Sequence, residues 1–216
     1  EIWAVDLQAL GHVPQKLMYD IPVRYIRSYW DLGMFITFDP ARIRRNMELG
    51  YLDTMKTLGL LDGFAYSFRE GQMARICDRF LEGSERAMKA LTTAENPLTA
   101  PAAELLDLDP TCIYTAERFN GELIRRFSEE DSHQPGEMEQ ALRRVHENPS
   151  TASEIFGRFK SMTGRARLHI VTHLVYGALS GSVPMPAAQL AGAAFPREMS
   201  AAIYLWLLGC STDTGE

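Results

Sequence analysis

The chain opens on Ile2 to Leu7, a stretch led by the apolar run Ile2-Trp3-Ala4-Val5, with almost no polar alternation. Such a run predicts a strand covered on both faces, as in a parallel α/β sheet. Val23-Arg24-Tyr25-Ile26 is rich in β-branched and aromatic residues and is set apart by Gly11, Pro14 and Pro22, which predicts a second strand. Two strands alone cannot make such a sheet stable, so its remaining neighbours are expected from outside the chain.

From Asp39 the apolar period lengthens to that of a helix. Asp39 can cap free amide groups, and Pro40 falls at the first helical position, where its missing N–H costs nothing. Ile43, Met47, Tyr51, Met55 and Leu58 then recur about one turn apart, and Gly59 ends the run. Arg42, Arg44, Arg45, Glu48, Asp53 and Lys56 lie mostly off that stripe, which predicts a solvated face. Leu60-Leu61-Asp62-Gly63 reads as a turn and Ala65 to Phe68 as a short extended piece.

Beyond Arg69 the pattern is helical almost throughout. Met73, Ile76, Phe80 and Leu81 mark one face, continuing toward Met88 and Leu91. A stretch rich in Thr, Pro and Ala around Thr92 to Pro101 reads as a linker and a candidate internal boundary. Helices are predicted over Ile113 to Phe127, Glu137 to His146, Ala152 to Met162, Arg165 to Leu179 and Pro186 to Leu208, the last broken near Pro196, with Ser128 to Gly136 as polar loop. The fold class is therefore mainly α, with two N-terminal strands from an α/β sheet over residues 1–68 and a multi-helix region over 69–216.

Composition narrows the function. With 216 residues and 46% of them hydrophobic, the chain can bury a real core as one large domain or two small ones. A formal charge of -6 gives no broad attraction to phosphate, so no nucleic-acid partner is expected. Cys77, Cys112 and Cys210 are odd in number and lack any C-x-x-C, suggesting neither a disulfide framework nor a zinc site and fitting a reducing, cytoplasmic setting. The closest approach to a membrane span, Ala187 to Cys210, is interrupted by Pro196, Arg197 and Glu198, and there is no signal peptide. Glu1, rather than a methionine, leads straight into the first apolar run, as expected of a fragment entered midway along a strand.

Three blocks carry a family resemblance. Glu1-Ile2-Trp3-Ala4-Val5-Asp6-Leu7 is similar to the strand "E-I-x-A-V-D-L", and Tyr25-Ile26-Arg27-Ser28-Tyr29-Trp30-Asp31-Leu32-Gly33 follows it. Arg45-Asn46-Met47-Glu48-Leu49-Gly50-Tyr51-Leu52-Asp53-Thr54-Met55-Lys56 is similar to "R-N-x-x-L-G-Y-x-D-T-x-K". In this order and at these spacings, residues 1 to about 64 resemble the C-terminal part of the bacterial patatin-like phospholipase domain. The resemblance implies a serine lipid acyl hydrolase with its nucleophile in G-x-S-x-G, an Asp in D-G-[GA] and a Gly-rich oxyanion stretch.

None of those three motifs is in the chain. The nearest lookalike, Gly177-Ala178-Leu179-Ser180-Gly181, has its serine one place late, and Asp62-Gly63 is followed by Phe64 and reads as a turn. The resemblance sets the catalytic Asp just before the strand that begins at Glu1, so the catalytic part is expected upstream. No residue here is assigned a catalytic, cofactor-binding or metal-binding role, and no cofactor is implied.

Three other features admit two readings each. His169 and His173 share a helix face and could offer two metal ligands, but Ile170 stands where an H-E-x-x-H zinc helix needs glutamate; rings hydrogen-bonded at a helix interface are the other reading. Tyr25, Tyr29, Trp30, Phe35 and Phe38 form either core and wall or an acyl-chain groove, with Trp30 buried, Asp31 bonding nearby backbone and Gly33 permitting a turn. Met199 to Leu208 is apolar on nearly all sides, as in the middle of a bundle; docking on a membrane surface is the alternative, without the basic polar face such helices carry. The chain is thus expected to be the non-catalytic C-terminal fragment of a patatin-like acyl hydrolase, partnered by its missing catalytic portion and able to approach acyl lipid or a membrane surface. An independent helical interaction or regulatory module that keeps a relic of the hydrolase domain is the alternative.

Overall fold

The computed structural model describes residues 1–6, 21–33, 38–78, 100–129, 144 and 152–209. The protein is mainly helical, with two parallel strands at its start and helices through most of the remainder. It divides into two compact units, Glu1–Arg75 with Asp109–Ala116, and Ile76–Leu108 with Glu117–Glu216.

In the first unit, β1 (Ile2–Asp6) pairs in parallel with β2 (Val23–Arg27), Ile2 opposite Val23 and Asp6 opposite Arg27. Their ends are fixed by charge: Arg27 Nε donates to Asp6 Oδ2 at 2.7 Å, and Arg24 pairs with Glu1. Helix α1 (Pro40–Thr57) starts as its sequence requires, Asp39 Oδ1 accepting from the Ala41 N–H at 3.1 Å and Pro40 opening the first turn. It ends at Leu58, and Gly59 follows at φ +75°, a left-handed conformation glycine adopts without cost.

The buried face of α1 differs from the expected stripe. Leu49, Leu52 and Asp53 are buried, whereas Met47 is 71% and Tyr51 58% exposed, with Ile43 and Leu58 also open. Asp53 does not lie on a solvated face. It is neutralised one turn on by Lys56, whose Nζ stands 2.8 Å from Asp53 Oδ1 and donates to the Phe64 carbonyl at 2.6 Å.

After α1 the chain doubles back. Asp62 and Phe68 exchange backbone hydrogen bonds of 2.9 Å in each direction, with Gly63 at φ +101° at the bend. Strand β3 (Ser67–Phe68) pairs in parallel with β4 (Ile113–Tyr114). The helix expected over Ile113 to Phe127 thus begins only at Ala116. Ile113 and Tyr114, β-branched and aromatic, are drawn into a ladder with a segment far away in sequence.

The second unit is a helical core. It contains α2 (Ala100–Leu105), α3 (Ala116–Ser128, from Glu117), α4 (Ala152–Ser161), α5 (Gly164–Ser180), α6 (Met185–Ala194) and α7 (Pro196–Leu207). Thr163 caps α5, its hydroxyl accepting from the Ala166 N–H at 3.2 Å, and Gly181 at φ +84° ends it. The expected break near Pro196 separates α6 from α7, because proline cannot continue the hydrogen-bond ladder of the preceding helix. Leu168, Val171, Leu174 and Val175 of α5 are fully buried, as are Met199, Ala202, Ile203 and Leu205 of α7. Small residues bring helices close: Gly177 has the Val183 side chain where a Cβ would stand, and Ala187, Ala188 and Ala191 are buried on α6.

Several expectations fall outside the described residues: the Thr92 to Pro101 linker up to residue 99, the Glu137 to His146 helix except for helical Arg144, Phe35, and Cys210. Residues 72–78 are helical, and the continuation toward Leu91 lies outside.

Candidate functional site

Trp30, Asp31, Asn46 and Lys56, polar residues of the blocks that carry the resemblance, hold backbone. Trp30 Nε1 donates to the Ala65 carbonyl at 2.7 Å, and Asp31 Oδ1 accepts from the Gly33 N–H at 2.7 Å. Gly33 is at φ +74° and has the Arg42 guanidinium packed where a side chain would go. Asn46 Nδ2 donates to the Leu32 carbonyl at 2.8 Å, so α1 grips the turn that ends the second block. With Asp53, Lys56 and the Phe64 carbonyl, these bonds tie α1 to both flanking loops.

Around Trp30 runs an aromatic ladder. Trp30 meets Tyr29 and Tyr66 edge to face, each at 5.4 Å between centroids; Tyr29 meets Phe64 at 5.3 Å, and Tyr66 meets Tyr114 at 6.2 Å. Arg45 stands over Trp30 at 5.8 Å. These are packing contacts with the geometry that aromatic quadrupoles favour. Phe38, expected in the same cluster, is instead 84% exposed.

A shallow groove of about 330 Å³ opens beside α1, lined by Met47, Glu48, Tyr51, Leu52, Thr111 and Ile113. Its walls are mostly apolar, so it can seat an apolar group. At its edge, Asp109 accepts from the Thr111 N–H at 2.9 Å, the Thr111 hydroxyl at 2.7 Å and the Cys112 thiol at 3.7 Å. Partial burial raises the Asp109 pKa, but the bonds from Thr111 and Cys112 and the charge of Arg45 outweigh it and hold the carboxyl below its ordinary value. This is a loop held by its own aspartate.

The other candidates have structural roles. Ser180 lies at the C-terminal end of α5, its hydroxyl 3.2 Å from the Gly177 carbonyl and from Ser182 Oγ, and not on a turn from strand to helix such as a serine hydrolase uses. Asp62-Gly63 is a turn. His169 stacks on Phe127 at 4.1 Å and 6° between planes, and among the described residues no group of three His, Cys, Asp or Glu gathers to hold a metal. Burial, then the neighbouring Asp78 charge, pushes the Cys77 thiol up, which disfavours the thiolate a nucleophile needs. Met199 to Leu205 is buried in the helical core, with Tyr204 Oη donating to Asn120 Oδ1 at 2.7 Å, as the bundle reading of this segment expects. Among the described residues no helix is long and apolar enough to cross a membrane.

The Asp53–Lys56 tie and the α1 groove are not predicted by the pattern of the chain. Their only trace was the i,i+3 spacing of the two charges inside the third block. Compared with protein families, curated proteins and solved structures, the chain finds no match.

Proposed function

We propose that this chain is the C-terminal portion of a bacterial patatin-like lipid acyl hydrolase, a serine enzyme acting on the acyl esters of a phospholipid or a related lipid. The observation that carries the reading is the direct parallel pairing of β1 with β2. Strands running the same way need a crossover connection between them, which is the plan of an α/β hydrolase sheet rather than of a hairpin. The resembling blocks support it, since Asn46 of the third holds the Leu32 carbonyl of the second. The Ser nucleophile, its Asp partner and the oxyanion amides belong to the polypeptide upstream of Glu1. Residues 1–75 complete the sheet, and the helical unit binds a partner or approaches lipid from the cytoplasmic side.

The reading frame upstream of Glu1 tests this. It is expected to encode a Gly-rich loop, G-x-S-x-G and D-G-[GA]; a start codon just before Glu1 overturns the proposal. The uninterrupted polypeptide should hydrolyse acyl esters and the 216-residue chain should not. Turnover by the purified chain alone would require a nucleophile among its own residues.

The buried core of α5 and α7 favours one second reading, a helical interaction module that keeps only a relic of the hydrolase. It predicts an upstream frame without the catalytic motifs.

A further inference from the structure

Parallel strands bond through alternate residues, each turning its N–H and C=O toward the same neighbour. Ile2 donates to the Pro22 carbonyl at 2.8 Å, and the register sets Ile2 opposite Val23, Ala4 opposite Tyr25 and Asp6 opposite Arg27. That phase turns the backbone of Ile2, Ala4 and Asp6 toward β2. It turns the N–H and C=O groups of Trp3 and Val5 the other way, where no strand lies among the described residues. The side chains there are open as well, Trp3 44% and Val5 65% exposed.

Proteins guard an open edge with charge, proline or a bulge. Trp3, Ala4 and Val5 offer none of these, and the charges at the ends of the strand, Glu1 and Asp6, are already paired with Arg24 and Arg27 of β2. What such an edge binds is set by its chemistry. Alternating donors and acceptors at strand spacing are matched only by another extended backbone. Ahead of Asp6, whose carboxylate Arg27 neutralises, both faces of β1 are apolar, Ile2 and Ala4 on one and Trp3 and Val5 on the other. A strand of that kind belongs inside a parallel sheet covered on both sides. A second copy related by a twofold axis would pair the two β1 strands antiparallel and leave both faces bare.

We infer that the outer edge of β1 seats a further parallel strand, bonded to the backbone of Trp3 and Val5, and, resting on the function proposed above, that this strand comes from the catalytic half of the same hydrolase sheet. Amide hydrogen exchange on the uninterrupted polypeptide and on the 216-residue chain tests it. The Ala4 amide should be protected in both. The Trp3 and Val5 amides should exchange freely in the shorter chain and slow about a hundredfold or more in the longer one.

Val5→Pro removes an outward N–H and also fixes φ, so it should lower resistance to denaturant more in the longer polypeptide than in the 216-residue chain, while Val5→Thr should lower neither. Free exchange at Trp3 and Val5 in the longer polypeptide, or the lack of any longer polypeptide, overturns the inference. Protection in the 216-residue chain that grows with its concentration overturns it too, making a second copy the occupant. Protected amides in a polypeptide without G-x-S-x-G would leave the edge standing and remove the hydrolase. Ester hydrolysis with those amides unprotected would do the reverse.

Discussion

Arg167 Nε donates to Glu198 Oε1 at 2.7 Å, joining α5 to α7 through a carboxylate that is buried in the helical core. Arg167 also donates to the Met162 carbonyl at 2.6 Å and lies over the Phe195 ring, so one guanidinium links the start of α5 to the start of α7. A pair out of water holds its place because each charge compensates the other, and losing one partner strands the second. Glu198→Ala or Arg167→Ala should each cost about 2–4 kcal/mol in urea denaturation. The double replacement Arg167→Met with Glu198→Leu should come within about 1 kcal/mol of wild type, since no buried charge is left over. Equal losses in the single and double variants would show that shape, not charge compensation, matters at this contact.

The two faces of α1 make a second test. Leu52 is buried, and its truncation to alanine should cost about 2–4 kcal/mol by leaving a cavity. Met47, one turn earlier and 71% exposed, should change stability by no more than about 0.5 kcal/mol when replaced by alanine. The sequence stripe running through Met47 and Tyr51 predicts the opposite ranking, so chemical denaturation of the two variants decides which face is the core.

That contrast marks where the sequence was readable. Local chemistry was legible: Asp39 and Pro40 start α1, Gly59 ends it, and Pro196 divides α6 from α7, each acting on backbone within a turn of itself. The mainly helical class with two leading strands followed from the same local signals. Long-range partners were not legible. Asp53 looks solvated until Lys56 and the Phe64 carbonyl are brought beside it, and Ile113-Tyr114 looks helical until β3 lies alongside. The groove at Met47 and Ile113 joins two segments that no local pattern connects. The absent hydrolase motifs could be read directly, because G-x-S-x-G is a contiguous string.

Two glycines separate strain from crowding. Gly59 and Gly63 both have positive φ, at +75° and +101°, but nothing lies within 4 Å of a Cβ built at Gly59, whereas one at Gly63 would collide with the Tyr66 carbonyl oxygen. Gly59→Ala should cost about 1 kcal/mol, the left-handed penalty alone. Gly63→Ala should cost about 2–4 kcal/mol, because the loop closed by Asp62 and Phe68 has to open to admit the methyl group. Similar melting temperatures for the two variants would mean that this loop yields freely.

Asp109 gives the chain an acid-sensitive loop. Burial alone would raise its pKa, but the Thr111 amide and hydroxyl, the Cys112 thiol and the Arg45 charge together bring it below the ordinary value. A carboxyl depressed in the folded state contributes stability that is fully present above its unfolded pKa, about 4, and is lost as pH falls through the lower folded value. Melting temperature should therefore drop on acidification below about pH 4, and Asp109→Asn should flatten part of that drop while leaving the neutral-pH side unchanged in slope. Arg45→Met should shift the Asp109 titration toward higher pH, because it removes a full positive charge acting on the carboxylate. An NMR titration of the Asp109 side chain that is the same in wild type and Arg45→Met would remove Arg45 from this account and leave the Thr111 and Cys112 bonds as the cause.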